Sequence, residues 1–286
     1  MTRLIIGCGY LGTRVAQRWR DAGQEVALLT RSAATAQRWR DEGYAAVIGD
    51  VTQPGTLNQL PPAETVLYAV GFDRRAGLPM RDVYVGGLRN VLNALPNSTG
   101  RLIYISSTGV YGSADGGWVD EATPCVPLRE NGRVCLEAER VLQQHPLGNK
   151  AVILRLAGIY GPQRIPSQDK LKAGEPIDAP AEGYLNLIHV DDAASVVLAA
   201  EKFPQPAGLY LVADGQPAVR GEYYAELARL LKAPPPRFVP PPVDSPAAAR
   251  AAADKRIDSR KMFAELKVRL QYPDYRAGLA AIVGAD

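Results

Sequence analysis

Histidine and cysteine are scarce in this sequence of 286 residues, which contains two His and three Cys. Their spacing matches neither a set of metal ligands nor a disulfide framework; the residues are His145, His189, Cys8, Cys125 and Cys135. The formal net charge is only +3, which is too small by itself for a nucleic-acid-binding surface. We therefore expect no metal site and no nucleic-acid partner.

Long hydrophobic runs are also missing, since no segment reaches the roughly 18 consecutive apolar residues of a membrane-spanning helix. Met1-Thr2-Arg3 leads directly into Leu4-Ile5-Ile6, without the charged region, apolar run and cleavage site of a signal peptide. These absences predict a cytoplasmic protein with reduced thiols and no membrane partner.

Proline, in contrast, is abundant, with 23 residues in the chain of 286, where globular proteins average about 5%. The clustered prolines fall mainly at 162–180, 204–217 and 234–246. Because proline cannot continue a helix or a central strand, these clusters predict loops in the second half of the chain. Helices are predicted there only at Val190–Ala200 and Glu222–Leu231, with a further helix start in Ala247–Ala253.

Short apolar runs alternate with amphipathic stretches up to about residue 155. The runs are apolar on both faces, which is typical of buried parallel strands; they are Leu4–Ile6, Glu25–Leu29, Ala45–Ile48, Thr65–Tyr68, Leu102–Ile105 and Ala151–Leu154. Helical stretches between them include Leu11–Ala22, Val83–Ala94 and Val134–Gln144. The alternation predicts an α/β fold with a doubly wound parallel sheet of the Rossmann type.

A glycine-rich loop, Gly7-Cys8-Gly9-Tyr10-Leu11-Gly12, joins the first predicted strand to the first helix. Gly7 permits a tight turn, Gly9 lets the backbone approach a pyrophosphate, and Gly12 lets the helix pack closely on the strand. Tyr10 and Leu11 open that helix, whose free N–H groups favour a phosphate. A glycine turn without a ligand is the alternative, but the strand–turn–helix context favours dinucleotide binding.

The end of the second predicted strand indicates which dinucleotide binds. It reads Thr30-Arg31-Ser32 and lacks the carboxylate that would bind the ribose 2′-hydroxyl of NAD. Arg31 offers a planar set of donors to a 2′-phosphate, and the two hydroxyls add further donors. The sequence therefore favours NADP over NAD. Asp50 and Val51, after the third strand, are either an adenine contact or only a turn.

Several later segments resemble one family. Residues 105–112 read ISSTGVYG, and with the glycine loop they resemble the extended short-chain dehydrogenases, which include nucleotide-sugar epimerases and dehydratases. The resemblance continues in residues 120–124, 155–162 (RLAGIYGP) and 186–192 (NLIHVDD). Lys255-Arg256-Ile257 and residues 272–275 resemble atypical bacterial members of the NAD(P)-dependent epimerase/dehydratase group.

The resemblance implies a cofactor domain and a smaller C-terminal substrate lobe. The cofactor domain would span residues 1–160, with 185–203 returning to it, and the lobe would span 161–286. Ser107, with Thr108 beside it, would polarise the substrate oxygen. The alternative for these hydroxyls is a structural one, in which they cap a turn at a strand end.

The sequence departs from the family at its acid–base pair. The family carries Tyr-x-x-x-Lys on the helix after the VYG segment, where the tyrosine transfers a proton and the lysine holds the nicotinamide ribose. When the helix is aligned on Glu139, Asn131 occupies the tyrosine position and Cys135 the lysine position. An amide transfers no proton at neutral pH, and a neutral thiol supplies no positive charge. The usual acid–base machinery is thus missing.

Other side chains could replace this pair. A positive charge could come from Arg133, Lys170 or Lys172, and a thiolate from Cys135. A proton could come from Tyr111, Tyr160 or Tyr184. The pair Asp120-Glu121 is predicted to be a solvated turn, and His189 with Asp191 and Asp192 is predicted to open a helix rather than to form a relay.

Two functions follow from the sequence. The first is an NAD(P)-dependent oxidoreductase, epimerase or dehydratase acting on a small hydroxylated substrate, with a nucleotide-linked sugar as one possibility. The second is a non-catalytic NADP-binding sensor that has lost the Tyr/Lys pair. By analogy with the family, the helices at 83–94 and 134–144 predict a homodimer.

Overall fold

The structure is a computed structural model that describes residues 2–205 and 207–284. Its strands, in chain order, are β1 (Thr2–Ile6), β2 (Glu25–Thr30), β3 (Ala45–Ile48), β4 (Thr65–Tyr68), β5 (Arg101–Ser107), β6 (Trp118–Val119), β7 (Ala151–Leu156), β8 (Gly158–Tyr160), β9 (Ile177–Asp178), β10 (Tyr184–Leu185), β11 (Leu187–His189), β12 (Gly208–Val212), β13 (Ala218–Val219), β14 (Phe238–Val239) and β15 (Arg256–Ile257).

The α-helices are α1 (Tyr10–Asp21), α2 (Ala33–Asp41), α3 (Gly87–Ala94), α4 (Glu130–Gln144), α5 (Gln168–Lys172), α6 (Val190–Lys202), α7 (Arg220–Leu231), α8 (Pro246–Ala251), α9 (Arg260–Leu266) and α10 (Tyr275–Val283). A π-helix over Asp82–Gly86 leads directly into α3.

The predicted α/β class and the doubly wound sheet are confirmed. Seven strands form one sheet in the order β12-β7-β5-β4-β1-β2-β3, and the pairings among β1 to β5 are all parallel. Leu4, Ile5 and Ile6 on β1 are fully buried, because helices cover both faces of such a sheet and consecutive residues on a strand point to opposite faces.

The predicted strands all form, whereas one helical prediction and one loop prediction need correction. The stretch 83–94 divides into the π-helix and α3. The proline-containing stretch 162–180 includes α5 and β9, although the sequence predicts a loop there. Leu171 and Ile177 in that stretch are buried in a hydrophobic cluster, and this tertiary burial outweighs the local effect of the prolines.

The chain divides into two compact units whose boundaries differ from the predicted ones. The first comprises residues 1–107, 130–155 and 194–210, and the second 108–129, 156–193 and 211–286. Residues 156–160 therefore lie in the second unit, where β8 pairs in parallel with β11. The predicted return of the chain to the cofactor domain at 185–203 corresponds in the structure to residues 194–210, which lie in the first unit.

Within the described residues, no helix is long and apolar enough to cross a membrane. The same residues contain no group of three or more His, Cys, Asp and Glu side chains that could hold a metal ion.

Candidate functional site

The glycine loop between β1 and α1 forms a cradle whose shape follows from its three glycines. Gly7 has a φ of +94°, and a Cβ there would lie 2.5 Å from the carbonyl oxygen of Ala69, just after β4. A Cβ on Gly12 would lie 2.8 Å from the carbonyl oxygen of Gly7. A Cβ on Gly9 would meet nothing within 4 Å. The loop is therefore tight on its inner side and open at Gly9, as close approach of a pyrophosphate requires.

The N-terminus of α1 suits the same ligand. Gly9 is the N-cap, no side chain caps the helix, and its first turn contains no acidic residue. The partial positive charge of the helix end therefore has no carboxylate to neutralise it. Tyr10 is half-buried beneath the guanidinium of Arg14, and Leu11 is buried in the core, so Leu11 can offer a ligand only its backbone.

Cys8 does not bring a reactive thiolate into the loop. Its Sγ lies 3.8 Å from Oγ1 of Thr13. Burial raises the pKa of the Cys8 thiol to about 11, so the side chain is neutral at physiological pH.

The three residues after β2 have different roles in the structure. Ser32 is the N-cap of α2 and accepts a hydrogen bond from the Thr35 N–H at 3.2 Å, and Oγ1 of Thr30 accepts one from the Ser32 N–H at 3.2 Å. Arg31 is exposed, and its Nη2 lies 4.0 Å from Oδ2 of Asp73. Arg31 is therefore the most available donor of the three.

Asp50 and Val51 lie after β3, in a turn. Oδ1 of Asp50 accepts hydrogen bonds from the backbone N–H and the hydroxyl of Thr52, both at 2.8 Å. Val51 is buried, and its carbonyl accepts a hydrogen bond from Nδ2 of Asn90 at 2.9 Å. The contacts of both residues match the turn alternative, and the adenine contact stays a prediction.

Ser107 and Thr108 end the fifth strand. Ser107 is the last residue of β5, and Thr108 begins a 3₁₀ turn over Thr108–Val110. The hydroxyl of Thr108 donates to the Leu156 carbonyl at 3.4 Å, a long hydrogen bond. Both side chains are half-buried.

A buried ionic cluster fixes the end of β5 against α4. Glu139 on α4 accepts a hydrogen bond from the hydroxyl of Ser106 at 2.5 Å and is paired with Arg155 of β7. Asn131 and Cys135 lie on the same helix, two turns and one turn before Glu139. Cys135 is buried and Asn131 is half-buried. The cluster therefore sets the position of the helix that carries both departures from the family pattern.

The three tyrosine candidates have structural contacts within the second unit. Tyr160 is buried and donates to the Asp274 carbonyl at 3.3 Å, and Tyr111 is also buried. The Tyr184 ring lies 5.0 Å from the guanidinium of Arg256. Asp120 closes a turn through Thr123, as predicted.

The lysine and histidine candidates also have structural contacts in the second unit. Lys170 forms an ion pair with Asp178 at 2.7 Å. Nδ1 of the buried His189 accepts from the Asp191 N–H at 3.2 Å at the start of α6, and the ring lies between Tyr160 and Tyr272. These contacts agree with the helix-opening role that the sequence predicts for His189.

Lys255 lies in the C-terminal segment that resembles the family, and its side chain contacts the backbone of the segment that follows Thr108. Its Nζ lies 3.3 Å from the carbonyl oxygens of both Tyr111 and Gly112. Burial lowers the pKa of Lys255 to about 8. The sequence identified this lysine only as part of a resemblance, and the structure shows that its contacts are with the backbone of the VYG segment.

Sequence reasoning missed Tyr84, which lies on the π-helix in the first unit. Tyr84 is half-buried, and its ring packs edge-on to the Phe72 ring, with 6.2 Å between their centroids. Burial and the nearby Cys135 thiol raise the pKa of Tyr84. Val83 and Val85 are both buried, and apolar residues two apart do not fit an α-helical stripe. The spacing of Val83 and Val85 is therefore the feature of the sequence that indicates a departure from a regular α-helix.

Comparison with known proteins agrees with this geometry. The model of the NAD dependent epimerase/dehydratase family matches residues 4–212. Protein YeeZ from Escherichia coli K12 is 34% identical over 206 residues, which cover 70% of this chain and 69% of that protein.

Two solved structures share the fold over 99% of this chain and 98% of their own. One is a conserved protein of unknown function from Silicibacter pomeroyi, with 30% identity and a TM-score of 0.79. The other is the UDP-glucose 4-epimerase of Thermus thermophilus in complex with NAD, with 19% identity and a TM-score of 0.81. The family match covers well over half of the chain and establishes that the chain belongs to the NAD-dependent epimerase/dehydratase family of enzymes.

Proposed function

We propose that the protein is an NADP-dependent enzyme that transfers a hydride between the nicotinamide and a small hydroxylated or carbonyl substrate. The observation that carries the proposal is the glycine cradle, which is open at Gly9 and faces an uncapped helix N-terminus without acidic residues. Gly9 and the first N–H groups of α1 would hold the pyrophosphate. When bound, the cofactor supplies or accepts the hydride.

The NADP preference is supported by the side chains after β2. Arg31 would bind the 2′-phosphate with its guanidinium, and Thr30 and Ser32 would line the same turn. The exposed Asp73 lies close to Arg31, and a 2′-phosphate would compete with that carboxylate for the guanidinium.

The substrate side of the proposal rests on Ser107 and Thr108, whose hydroxyls would hold the reacting oxygen. A nucleotide-linked sugar is the substrate class we favour, because a UDP-glucose 4-epimerase shares the fold.

We further propose that the protein acts in the cytoplasm and as a homodimer through α3 and α4. Light scattering of the purified protein tests the dimer, and a monomeric mass would exclude it.

The alternative is a non-catalytic NADP-binding sensor. It is favoured by one observation, the presence of Asn131 and Cys135 on α4 where the family has its proton-transfer pair. Such a protein would bind NADPH tightly and exchange no hydride.

Binding and exchange measurements separate the two functions. NADPH fluorescence gives the Kd, and isotope exchange from deuterated NADPH into a panel of nucleotide sugars and their keto forms detects hydride transfer. Exchange with any member supports the enzyme, whereas tight binding without exchange supports the sensor. If neither dinucleotide binds, both proposals are wrong.

A further inference from the structure

A chain of contacts connects Tyr84 to the cradle. Gly7 packs directly against Ala69 and Val70, which follow β4, and the ring of Phe72, two residues further along, packs against the Tyr84 ring. In a doubly wound sheet the dinucleotide lies across the carboxyl ends of the strands at the point where the strand order reverses. That point is between β1 and β4 here.

The two halves of the dinucleotide then occupy opposite sides of this switch point. Arg31, after β2, is on the side predicted to bind the adenosine phosphate. Phe72 follows β4, and the π-helix that carries Tyr84 contacts α4, which in turn contacts β5. We therefore expect both side chains on the other side, toward β5 and Ser107. The nicotinamide half is therefore expected on the side where the Tyr84 hydroxyl lies.

The backbone around Tyr84 is unusual and well anchored. The π-helix Asp82–Gly86 widens the turn that carries the side chain, and single π-helical turns occur frequently at functional sites. Arg81, at the N-cap of that turn, makes a bidentate ion pair with Glu137 of α4 at 2.5 and 3.0 Å. The Phe72 ring packs edge-on to the Tyr84 ring, with 6.2 Å between their centroids.

The exposure of Tyr84 has a chemical consequence. A phenolic hydroxyl carries one O–H, which it can donate to an acceptor that reaches it. Tyr84 is only half-buried, whereas Tyr68 and Tyr104, the other phenols of this cluster, are almost completely buried. Among these three tyrosines, Tyr84 is the one that a ligand can reach.

We propose that Tyr84 is the proton donor of this enzyme and that its substrate is a carbonyl compound, which is reduced. This rests on the proposed function. Bound NADPH would supply the hydride to the substrate carbon. As the C=O π electrons move to the oxygen, the Tyr84 O–H would donate its proton to that oxygen, giving an alcohol and NADP⁺, and the phenolate would recover its proton from water.

The direction of reaction follows from the surroundings of Tyr84. The side chain at the family's lysine position is Cys135, which brings no positive charge to stabilise a phenolate, and burial raises the pKa of Tyr84. The hydroxyl therefore stays protonated at neutral pH, which suits proton donation during reduction and not proton removal from an alcohol. Epimerases and dehydratases that begin by oxidising a sugar hydroxyl must instead remove the proton from that hydroxyl.

A tyrosinate titration tests the position of Tyr84 without relying on turnover. The absorbance of tyrosinate is followed against pH for the apoprotein, with NADP⁺ and with 2′,5′-ADP, which lacks the nicotinamide. The positive nicotinamide ring should lower the midpoint of one tyrosine, and 2′,5′-ADP should not. Tyr84→Phe should abolish the shift, and Tyr104→Phe should preserve it.

The other titratable groups around Tyr84 require one more control. They are Cys135 on α4, Tyr68 on β4, Tyr104 on β5, Asp82 on the π-helix, and the Arg81–Glu137 pair. Cys135→Ser removes the thiol and should leave the NADP⁺-dependent shift in place. If the midpoint shift survives in Tyr84→Phe, or if 2′,5′-ADP also produces it, Tyr84 does not lie beside the nicotinamide.

Turnover tests the chemical role. On any compound that the wild-type chain reduces in the isotope-exchange panel, Tyr84→Phe should slow transfer by about 100-fold or more and leave the Kd for NADPH unchanged. An unaltered rate would refute the role of Tyr84 while leaving the proposed function intact. If the wild type binds NADPH and reduces nothing, the proposed function and the catalytic role both fail, whatever the titration shows.

Discussion

The guanidinium of Arg155 makes two hydrogen bonds to the carboxylate of Glu139, from Nε at 3.0 Å and from Nη2 at 2.6 Å. Both side chains are at least 94% buried. A buried ion pair is costly to desolvate, so its chief effect appears when one partner is removed. The pair joins β7 to α4, and the Ser106 hydroxyl extends it to the residue just before Ser107.

Glu139→Gln should therefore destabilise the protein strongly. Loss of the carboxylate leaves the buried Arg155 charge without its counter-ion, which costs about 3 to 5 kcal/mol of unfolding free energy. Urea unfolding measures the difference. The matched control is Glu137→Gln, two residues away on the same helix, which removes an exposed ion pair to Arg81 and should change stability little. Similar losses of unfolding free energy in the two variants would show that the buried ion pair matters no more than the exposed one.

The sheet and the cradle could be predicted because their signals are local. Runs such as Ala45–Ile48 and Thr65–Tyr68 form strands with the predicted limits, and the glycine spacing alone indicates the loop. Asn131 and Cys135 could be assigned to one helix because the pattern around Glu139 is continuous in sequence.

The remaining features depend on residues that are distant in sequence. Arg155 pairs with Glu139 only after β7 has taken its place in the sheet, and the packing of Phe72 on Tyr84 depends on the path of the chain after β4. A search for 3.6-residue periodicity does not detect the π-helix, so the sequence predicts one continuous helix over 83–94. Leu171 and Ile177 are buried by tertiary packing that proline counts do not reveal.

Arg31→Asp should reverse the cofactor preference. A charge-assisted guanidinium–phosphate contact contributes about 1.5 to 3 kcal/mol, so NADPH should bind about 10- to 100-fold more weakly. NADH binding should change little, because NADH has no 2′-phosphate. Fluorescence titration with both cofactors measures the two affinities, and Arg140→Asp, an equal charge change at an exposed site on α4, is the control. Equal loss for NADPH and NADH would discredit the 2′-phosphate role.

Gly9→Ala should block the dinucleotide at a small cost in stability. A Cβ at Gly9 meets no protein atom within 4 Å, but its ψ of −145° lies outside the main regions of L-residues, so the thermal midpoint should fall slightly. The methyl group would occupy the space the pyrophosphate approaches, and both NADPH and NADH should bind about tenfold more weakly or worse. Gly55→Ala, at an exposed position that is equally open, should leave binding intact. Normal binding by Gly9→Ala would show that the cradle does not face the ligand.

Asp214 should make the stability of the protein depend on pH. This carboxyl is buried after β12, its Oδ1 accepts a hydrogen bond from the Gln216 N–H at 2.9 Å, and its Oδ2 has no hydrogen-bond partner among the described residues. Burial first, and then the nearby Asp274 and Asp192, raise the pKa of Asp214 from 3.8 to about 7. The folded state therefore binds this proton more tightly than the unfolded state does.

Linkage fixes the sign of the effect. Between pH 3.8 and about 7 the folded chain carries more protons at Asp214 than the unfolded chain, so the contribution of this group to stability falls as the pH rises through that window. Asp214→Asn removes the titration and keeps an oxygen to accept the Gln216 N–H. Relative to wild type, the variant should gain about 2 to 4 kcal/mol between pH 4 and pH 8. Chemical denaturation at the two pH values measures the gain, and parallel pH profiles for variant and wild type would show that Asp214 titrates normally.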